Sequence, residues 1–321
     1  MFVTFLIGAI ALGTVLLYGC LGETLMEKSG HLNLGVPGIM CMGTAGGCLG
    51  IELYMKGLAA PANANWFPLI LVAVLFSVLL SVSTGAIYAF LTVTLRCNQN
   101  ITGLAITTFG SGLAQFIMDT YVTRKNFDVA GKLLSRGFVN DPNANGVLRV
   151  FFSHGFFVYF AIVLAVVFAV VLNRTRIGLH LRSVGENPAT ADADGVNVTA
   201  YKYCAVLIGS AVSGFGGLFY IMDYLKGSWE NASTIEAFGW LAIALVIFTL
   251  WKPNLAIFGS ILFGGLFIAA FVLKGNPMQK ELLKLLPYVI TVLVLVITSI
   301  RKKRENQPPA SLGLSYFREE R

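Results

Sequence analysis

Residues 173–203, NRTRIGLHLRSVGENPATADADGVNVTAYKY, form the longest polar interval between two strongly apolar segments of the chain. The interval carries its own punctuation for one short helix. Asn187 can cap it, Pro188 suits the first helical position, residues 189–194 are Ala-rich, and Gly195 stops it. Arg174, Arg176 and Arg182 precede that helix and Lys202 follows it. Basic residues between apolar segments mark the cytoplasmic side of a membrane protein. Composition alone favours an ordinary solvated loop, though the small capped helix also suits a surface for something else to grip.

The 321 residues are 56% hydrophobic and only 12% charged, with a mean hydropathy of +0.75. A soluble domain carries about twice that charge fraction. Apolar windows of roughly 20 residues recur along almost the whole length, so the expected fold is an all-α polytopic membrane protein. Residues 1–300 read as one transmembrane domain and residues 301–321 as a basic, irregular cytoplasmic tail. The net charge of +7 reflects basic residues flanking spans and points to no nucleic acid. Cys20, Cys41, Cys48, Cys97 and Cys204 are odd in number, show no C-x-x-C spacing, and read as reduced, buried side chains. The N-terminal apolar run has no basic flank or small-residue cleavage site and reads as a span.

About nine spans are expected (eight to ten), at 2–21, 34–55, 67–95, 101–122, 150–172, 203–225, 238–251, 255–273 and 286–300. Residues 22–33 read as a short polar turn and 123–149 as a loop too polar for lipid. The second span is rich in glycine, including Gly35, Gly38, Gly43, Gly46, Gly47 and Gly50, and belongs inside the bundle. The third is long enough to tilt, or to break near Ser81, Ser83, Thr84 and Gly85. The fourth has a polar centre, ITTFGSGLAQF, and residues 96–122 could be re-entrant. With the tail in the cytoplasm, the N-terminus falls outside, and 13 Lys and Arg lie inside against ten outside.

Several chemistries are missing. Gly131-Lys132 is followed by Leu133, so there is no phosphate-cradling G-x-x-x-x-G-K-[ST] loop. His31, His154 and His180 are scattered and read as solvated or interfacial side chains. No metal-spaced cluster or nucleophile–base pair can be assembled, which argues against an enzyme. Glu52, Asp119 and Asp223 sit near segment ends rather than at mid-membrane, which disfavours a proton- or sodium-driven carrier, though unwound backbone could still bind sodium. What remains is a pathway for a neutral, hydrogen-bonding solute. Thr107, Thr108, Ser111 and Gln115 are the candidate polar contacts, with Phe109 and Trp240 as candidate aromatic faces. The same residues could instead satisfy one another between helices.

Two stretches carry a resemblance. Residues 22–43, GETLMEKSGHLNLGVPGIMCMG, resemble the E-x-x-G-x-x-N-I-G-x-E-G-x-M segment of certain ABC importer permeases. Residues 178–198, GLHLRSVGENPATADADGVNV, resemble the cytoplasmic loop of the same branched-chain amino acid/ribose-type permease family almost residue for residue. Weaker similarity includes residues 239–244, Trp251-Lys252-Pro253 and the tail PASLGLSY at 309–316. The pattern is closest to the shorter permease of the nucleoside subgroup, which works with a lipoprotein of the basic membrane protein type.

The resemblance implies the ABC importer permease fold, in the bacterial cytoplasmic membrane. It also implies a second permease subunit, cytoplasmic ATP-binding subunits and an extracytoplasmic solute-binding lipoprotein. No cofactor belongs to this chain, since ATP and Mg²⁺ would sit on the ATPase. Gly185, Glu186, Asn187, Pro188, Ala191, Asp192 and Gly195, with Arg182 upstream, would form the coupling helix that docks in the ATPase. The outward basic residues Arg124, Lys125, Lys132, Arg136 and Arg149 would meet acids on the lipoprotein. One departure is Pro37, where the subgroup usually has Glu. Purine or other nucleosides are the expected solutes, with a ribose-type sugar or a branched-chain amino acid as alternatives. A stand-alone carrier or channel, or a non-transporting anchor, are the readings from other classes.

Overall fold

In the computed structural model, residues 2–139, 145–272, 276–301 and 307–317 are described, and among them there is no strand. Long helices are what apolar chain must form in lipid, because a helix satisfies every backbone polar group within itself. In order they are α1 (Phe2–Lys28), α2 (Val36–Lys56), α3 (Trp66–Ala89), α4 (Gln99–Tyr121), α5 (Arg124–Leu134), α6 (Gly146–Phe152) and α7 (Phe156–Arg174). Then follow α8 (Arg176–Glu186), α9 (Pro188–Ala193), α10 (Val198–Phe219), α11 (Ala232–Phe248), α12 (Pro253–Val272), α13 (Pro277–Lys284) and α14 (Leu286–Arg301). Among the described residues, six helices are long and apolar enough to cross a membrane: α1, α2, α3, α4, α7 and α10, with α3 and α10 counted through their terminal turns. Ala232–Phe248 and Pro253–Ala269 are shorter apolar helices.

Helix α2 is the axis of the bundle, packed by α3, α4, α10 and α11. Its glycines make this possible by letting backbones touch. A Cβ on Gly43 would lie 2.3 Å from the Cα of Gly214 on α10, and one on Gly38 would lie 2.4 Å from the carbonyl oxygen of Ile106 on α4. On the opposite flank, a Cβ on Gly239 of α11 would meet the Pro37 Cα at 2.4 Å. Pro37 therefore serves as a packing face for α11, besides stiffening the first turn of α2. Helix α1 packs against α10, α11 and α12.

The helices differ from the sequence reading at several points. Residues 22–28 are not a polar turn: α1 continues to Lys28, and Glu23, Thr24 and Glu27 are buried. No breaker precedes Ser29-Gly30, and Gly30 takes the left-handed conformation at φ +87°. Residues 123–149 are not a structureless loop, since they hold α5 and the start of α6. The fifth long helix begins at Phe156, not at 150, and α11 begins at Ala232, six residues before the expected 238. Helix α4 is continuous from Gln99 to Tyr121 with no re-entrant break. Helix α3 does not break at its hydroxyls either, because Ser81, Ser83 and Thr84 each donate back to a carbonyl one turn earlier. Cys97 and Cys204 are exposed rather than buried, while Cys20, Cys41 and Cys48 are buried, and all five are free. His31 and His154 are buried, not solvated.

Helices α3 and α10 end alike. Each tightens into a five-residue π turn, Phe90–Thr94 and Tyr220–Tyr224. Each then places a basic residue in the left-handed region, Arg96 at φ 57° and Lys226 at φ 51°. The turn after α3 meets the C-terminal segment, where Ser315 Oγ donates to the Arg96 carbonyl at 3.4 Å. The turn after α10 meets α5 at the far end of the bundle, where a Cβ on Gly131 would strike the Lys226 carbonyl carbon.

Candidate functional site

The sequence punctuation of 173–200 corresponds to a helix pair. Thr175 accepts from the Gly178 amide at 3.2 Å and opens α8, which runs to Glu186. Asn187, at φ −150° and ψ 93°, turns the chain, and its side chain accepts from the Thr190 amide at 3.1 Å to cap α9. Pro188 occupies the first position of α9, and Gly195 leaves it at φ +84°, a conformation open to glycine without strain. Only α9 was expected; α8 is an amphipathic helix that the basic and polar letters concealed.

Each candidate coupling residue has a definite place. Gly185 is buried against the end of α1, where a Cβ would lie 2.3 Å from the Lys28 carbonyl oxygen. Ala191 is buried in a small cluster with Val184 and Val198, sealed by Val196, Tyr201 and Tyr316. These inward residues hold the loop down. Glu186, Asn187, Thr190, Asp194 and Gly195 are exposed and form its outer face, while Pro188 and Asp192 are half-buried. Arg182 lies with Lys28, Glu186, Trp251 and Lys252 along a cleft of about 420 Å³.

The C-terminal segment clamps this loop. The Ser311 amide donates to the Gly185 carbonyl at 3.0 Å, and its hydroxyl reaches the same oxygen. The Gly313 amide donates to Gly30 O at 3.2 Å, and Tyr316 Oη donates to Asp192 Oδ2 at 2.9 Å. Gln99 Nε2 donates to Leu314 O at 3.4 Å, and the Arg96 guanidinium lies 4.7 Å from the Phe317 ring centroid. Residues 307–317 have no helix, yet they are docked by named contacts. Lys302, Lys303 and Arg304 of the basic tail lie outside the described residues.

Beneath the loop lies a buried polar knot the sequence reading missed. Glu23 Oε1 accepts from the Asn33 amide at 2.9 Å, and Asn33 Oδ1 accepts from the Gly35 amide at 2.9 Å. Glu27, one turn on, accepts from the Trp251 indole N–H. Trp251 and Leu250 both take left-handed conformations, at φ 55° and 54°. His31 sits nearby, edge-on to Tyr88, with both ring nitrogens unpartnered among the described residues. Burial, helped by the Lys202 charge, pushes its pKa down to about 3, so the ring is neutral at physiological pH. A signal was present: Glu23 and Glu27 are spaced i,i+4, which puts them on one helix face.

The candidate pathway residues divide between two faces of α4. Thr107 is buried and donates to Leu34 O at 2.7 Å, so its hydroxyl is engaged in helix packing. Gln115 bridges helices, accepting from the Ala232 amide at 2.8 Å and donating to Asp119 Oδ2 at 2.6 Å. Thr108 and Phe109 are exposed, Ser111 is half-buried, and both hydroxyls donate within α4. Phe109 lies on an open face with Gly112 and Phe116. Trp240 is half-buried on α11 against the main core and, among the described residues, makes no ring contact with Phe109. Of the candidate acids, Glu52 is in the last turns of α2, 3.2 Å from Lys56 Nζ. Asp119 is near the end of α4 and Asp223 in the π turn of α10. No group of three or more His, Cys, Asp or Glu that could hold a metal ion occurs among the described residues.

Comparison with known proteins gives one consistent relationship. The family model described as "Branched-chain amino acid transport system / permease component" matches residues 5–295. The nucleoside ABC transporter permease protein NupC of Lactococcus lactis is 31% identical over 296 residues, 88% of each chain. The guanosine ABC transporter permease protein NupQ of Bacillus subtilis is 30% identical over 299 residues, 87% of each chain. TsgC13 of Haloferax volcanii, provisionally named a glucose ABC transporter permease protein, is 30% identical over 336 residues, 95% of each chain. The chain therefore belongs to the branched-chain amino acid transport system permease family, as a multi-pass membrane permease subunit of an ABC transporter.

Proposed function

We propose that this permease forms half of the translocation pathway of an ATP-driven importer for nucleosides. The observation that carries the mechanism is the clamped helix α9. Its inner face is fixed to α8, α10 and the C-terminal segment, and α8 rests on the end of α1 at Gly185, while Glu186, Asn187, Thr190 and Asp194 face outward. A partner ATPase gripping that outer face would pull on α10 directly and on α1 through α8, because little slack lies between. ATP and Mg²⁺ belong to that partner. A second permease would complete the pathway, and a solute-binding lipoprotein would deliver to the opposite end, where Lys132 and Arg136 are exposed. Nine crossings, by α1, α2, α3, α4, α7, α10, α11, α12 and α14, fit this reading. They put the N-terminus outside and α8–α9 and the C-terminal segment in the cytoplasm. Nucleosides are favoured by the names of NupC and NupQ. The name of TsgC13 supports a sugar as the second reading.

Uptake of radiolabelled guanosine, glucose and leucine, with and without the gene, tests the solute. Gene-dependent guanosine uptake that stops on ATP depletion is expected. Uptake of glucose instead would transfer the same architecture to the second reading, and uptake insensitive to ATP depletion would refute an ABC importer. Coupling has its own test in Thr190→Trp, which adds bulk to the exposed face of α9 without touching the inner cluster. Solute uptake should fall by at least about tenfold, ~1.4 kcal/mol or more in coupling, with membrane levels unchanged. Uptake at the wild-type rate would remove α9 from the ATPase interface.

A further inference from the structure

We propose that the cleft between the start of α10, the turn after α3 and the C-terminal segment binds a phosphate group, carried on a small cytosolic molecule or a lipid headgroup. The cleft measures about 440 Å³ and is lined by, among others, Thr92, Arg96, Asn197, Thr199, Lys202 and Tyr316. Lys202 is decisive. It is only 3% exposed, and among the described residues its ammonium has no hydrogen-bond or ion-pair partner. A buried charge without a counter-charge is costly, and structures that keep one usually supply an anion.

The remaining walls favour the same occupant. Arg96 brings a second cation to the lining. Val198 and Thr199 form the first turn of the 22-residue α10. The first amides of a helix have no intrahelical partners and sit at the positive end of its dipole. Asn197 is already committed, accepting from the Ala200 amide at 2.9 Å, so it caps without filling the cleft. Asp192 is the acid in the lining, and Tyr316 Oη donates to it. A tetrahedral oxyanion can take the Lys202 ammonium and helix amides together, which a planar carboxylate does less completely. The volume falls within the ~300–1,000 Å³ usual for small-molecule sites and exceeds what phosphate alone needs. Three chain segments that are distant in sequence meet here, so an occupant would tie the α8–α9 loop to α3 and to the C-terminal segment. The site is independent of which solute the permease carries.

The test uses the full-length chain purified in detergent without an ATPase, so that the ATPase's own nucleotide and phosphate sites are absent. Thermal unfolding is followed in phosphate-free buffer, then with inorganic phosphate at constant ionic strength, and separately with phosphatidylglycerol in the micelles. The wild type should gain on the order of 3–5 °C with phosphate. Lys202→Met should melt at or above the wild type without phosphate, because the unpaired charge is gone, and should gain nothing from phosphate. Lys202→Arg should keep the response. A Lys202-dependent gain with phosphatidylglycerol but not with phosphate would support the site and make the lipid its source. No gain from either, or an equal gain in Lys202→Met, would overturn the proposal. If Lys202→Met does not fold, Thr199→Asp decides: a carboxylate on the exposed first turn of α10 should abolish the response, and a response that persists rejects the site.

Discussion

A chain that stops at Gln307 should insert normally and transport almost nothing. All the long helices end by Arg301, so nothing that crosses the membrane is removed. What disappears is the clamp on α8 and α9: the Ser311 bonds to Gly185, the Gly313 bond to Gly30 and the Tyr316 bond to Asp192. At roughly 1 kcal/mol each, these are enough to decide whether a short helix pair stays seated. Losing Tyr316 also uncovers Val184, Ala191 and Val198, which form a cluster too small to persist alone. The released loop could still be gripped by an ATPase, but its motion would no longer reach α1. ATP-dependent uptake should drop more than about tenfold, with hydrolysis in the assembled importer no longer stimulated by solute. Uptake within twofold of wild type would mean that the α8–α9 loop holds its position unaided.

Trp251→Ala should be the most damaging single substitution among those considered. The indole is buried, and large-to-small changes of this kind cost about 3–5 kcal/mol. The change also strips the indole donor from Glu27, a carboxyl that is itself buried, adding about 1–3 kcal/mol. Leu250 and Trp251 are consecutive left-handed residues, each at a cost of about 1–3 kcal/mol, and the indole–Glu27 bond holds that turn in place. Trp251→Phe separates the contributions, since it keeps most of the packing and loses only the donor. Glu27→Gln should be milder still, because an amide oxygen can accept the same N–H. Thermal unfolding in detergent should therefore rank the stabilities Glu27→Gln above Trp251→Phe above Trp251→Ala. Equal losses for the two Trp251 variants would show that packing contributes nothing beyond the hydrogen bond.

The legible parts of this chain were the local ones. Apolar windows located the long helices, with the ends of α1, α7 and α11 displaced by six or seven residues, and Asn187, Pro188 and Gly195 located α9, because capping and breaking are decided by neighbours in sequence. The glycine run of α2 correctly placed that helix inside the bundle, since close approach needs small residues wherever the partner comes from. Glu23 and Glu27 were misread because two acids after an apolar run look like the end of a span. Their partners are Asn33 and, 224 positions away in sequence, Trp251, and no window on the sequence contains that pairing. The candidate pathway residues show the same limit. Thr107 and Gln115 face neighbouring helices while Thr108 and Phe109 face outward, a division set by where Gly38 and Ala232 pack rather than by the polarity of α4.

The matched endings of α3 and α10 have a consequence for how such a machine can be built. In both, the chain closes a π turn with equivalent amide bonds, Leu95 to Phe90 and Cys97 to Leu91 in one, Leu225 to Tyr220 and Gly227 to Ile221 in the other. In both, a left-handed cation and an asparagine-capped helix follow, and that helix lays a Phe-Gly pair beside the first turn of α2, through Gly110 on Gly38 and Gly239 on Pro37. One ending lies beside the C-terminal segment and the other at the opposite end of the bundle, so the hairpins α3–α4 and α10–α11 run in opposite directions. Many transporters are built from two such inverted halves. In a transporter of that plan, opening to one side and opening to the other are the same movement performed by opposite halves: each half need only adopt the posture the other has just left.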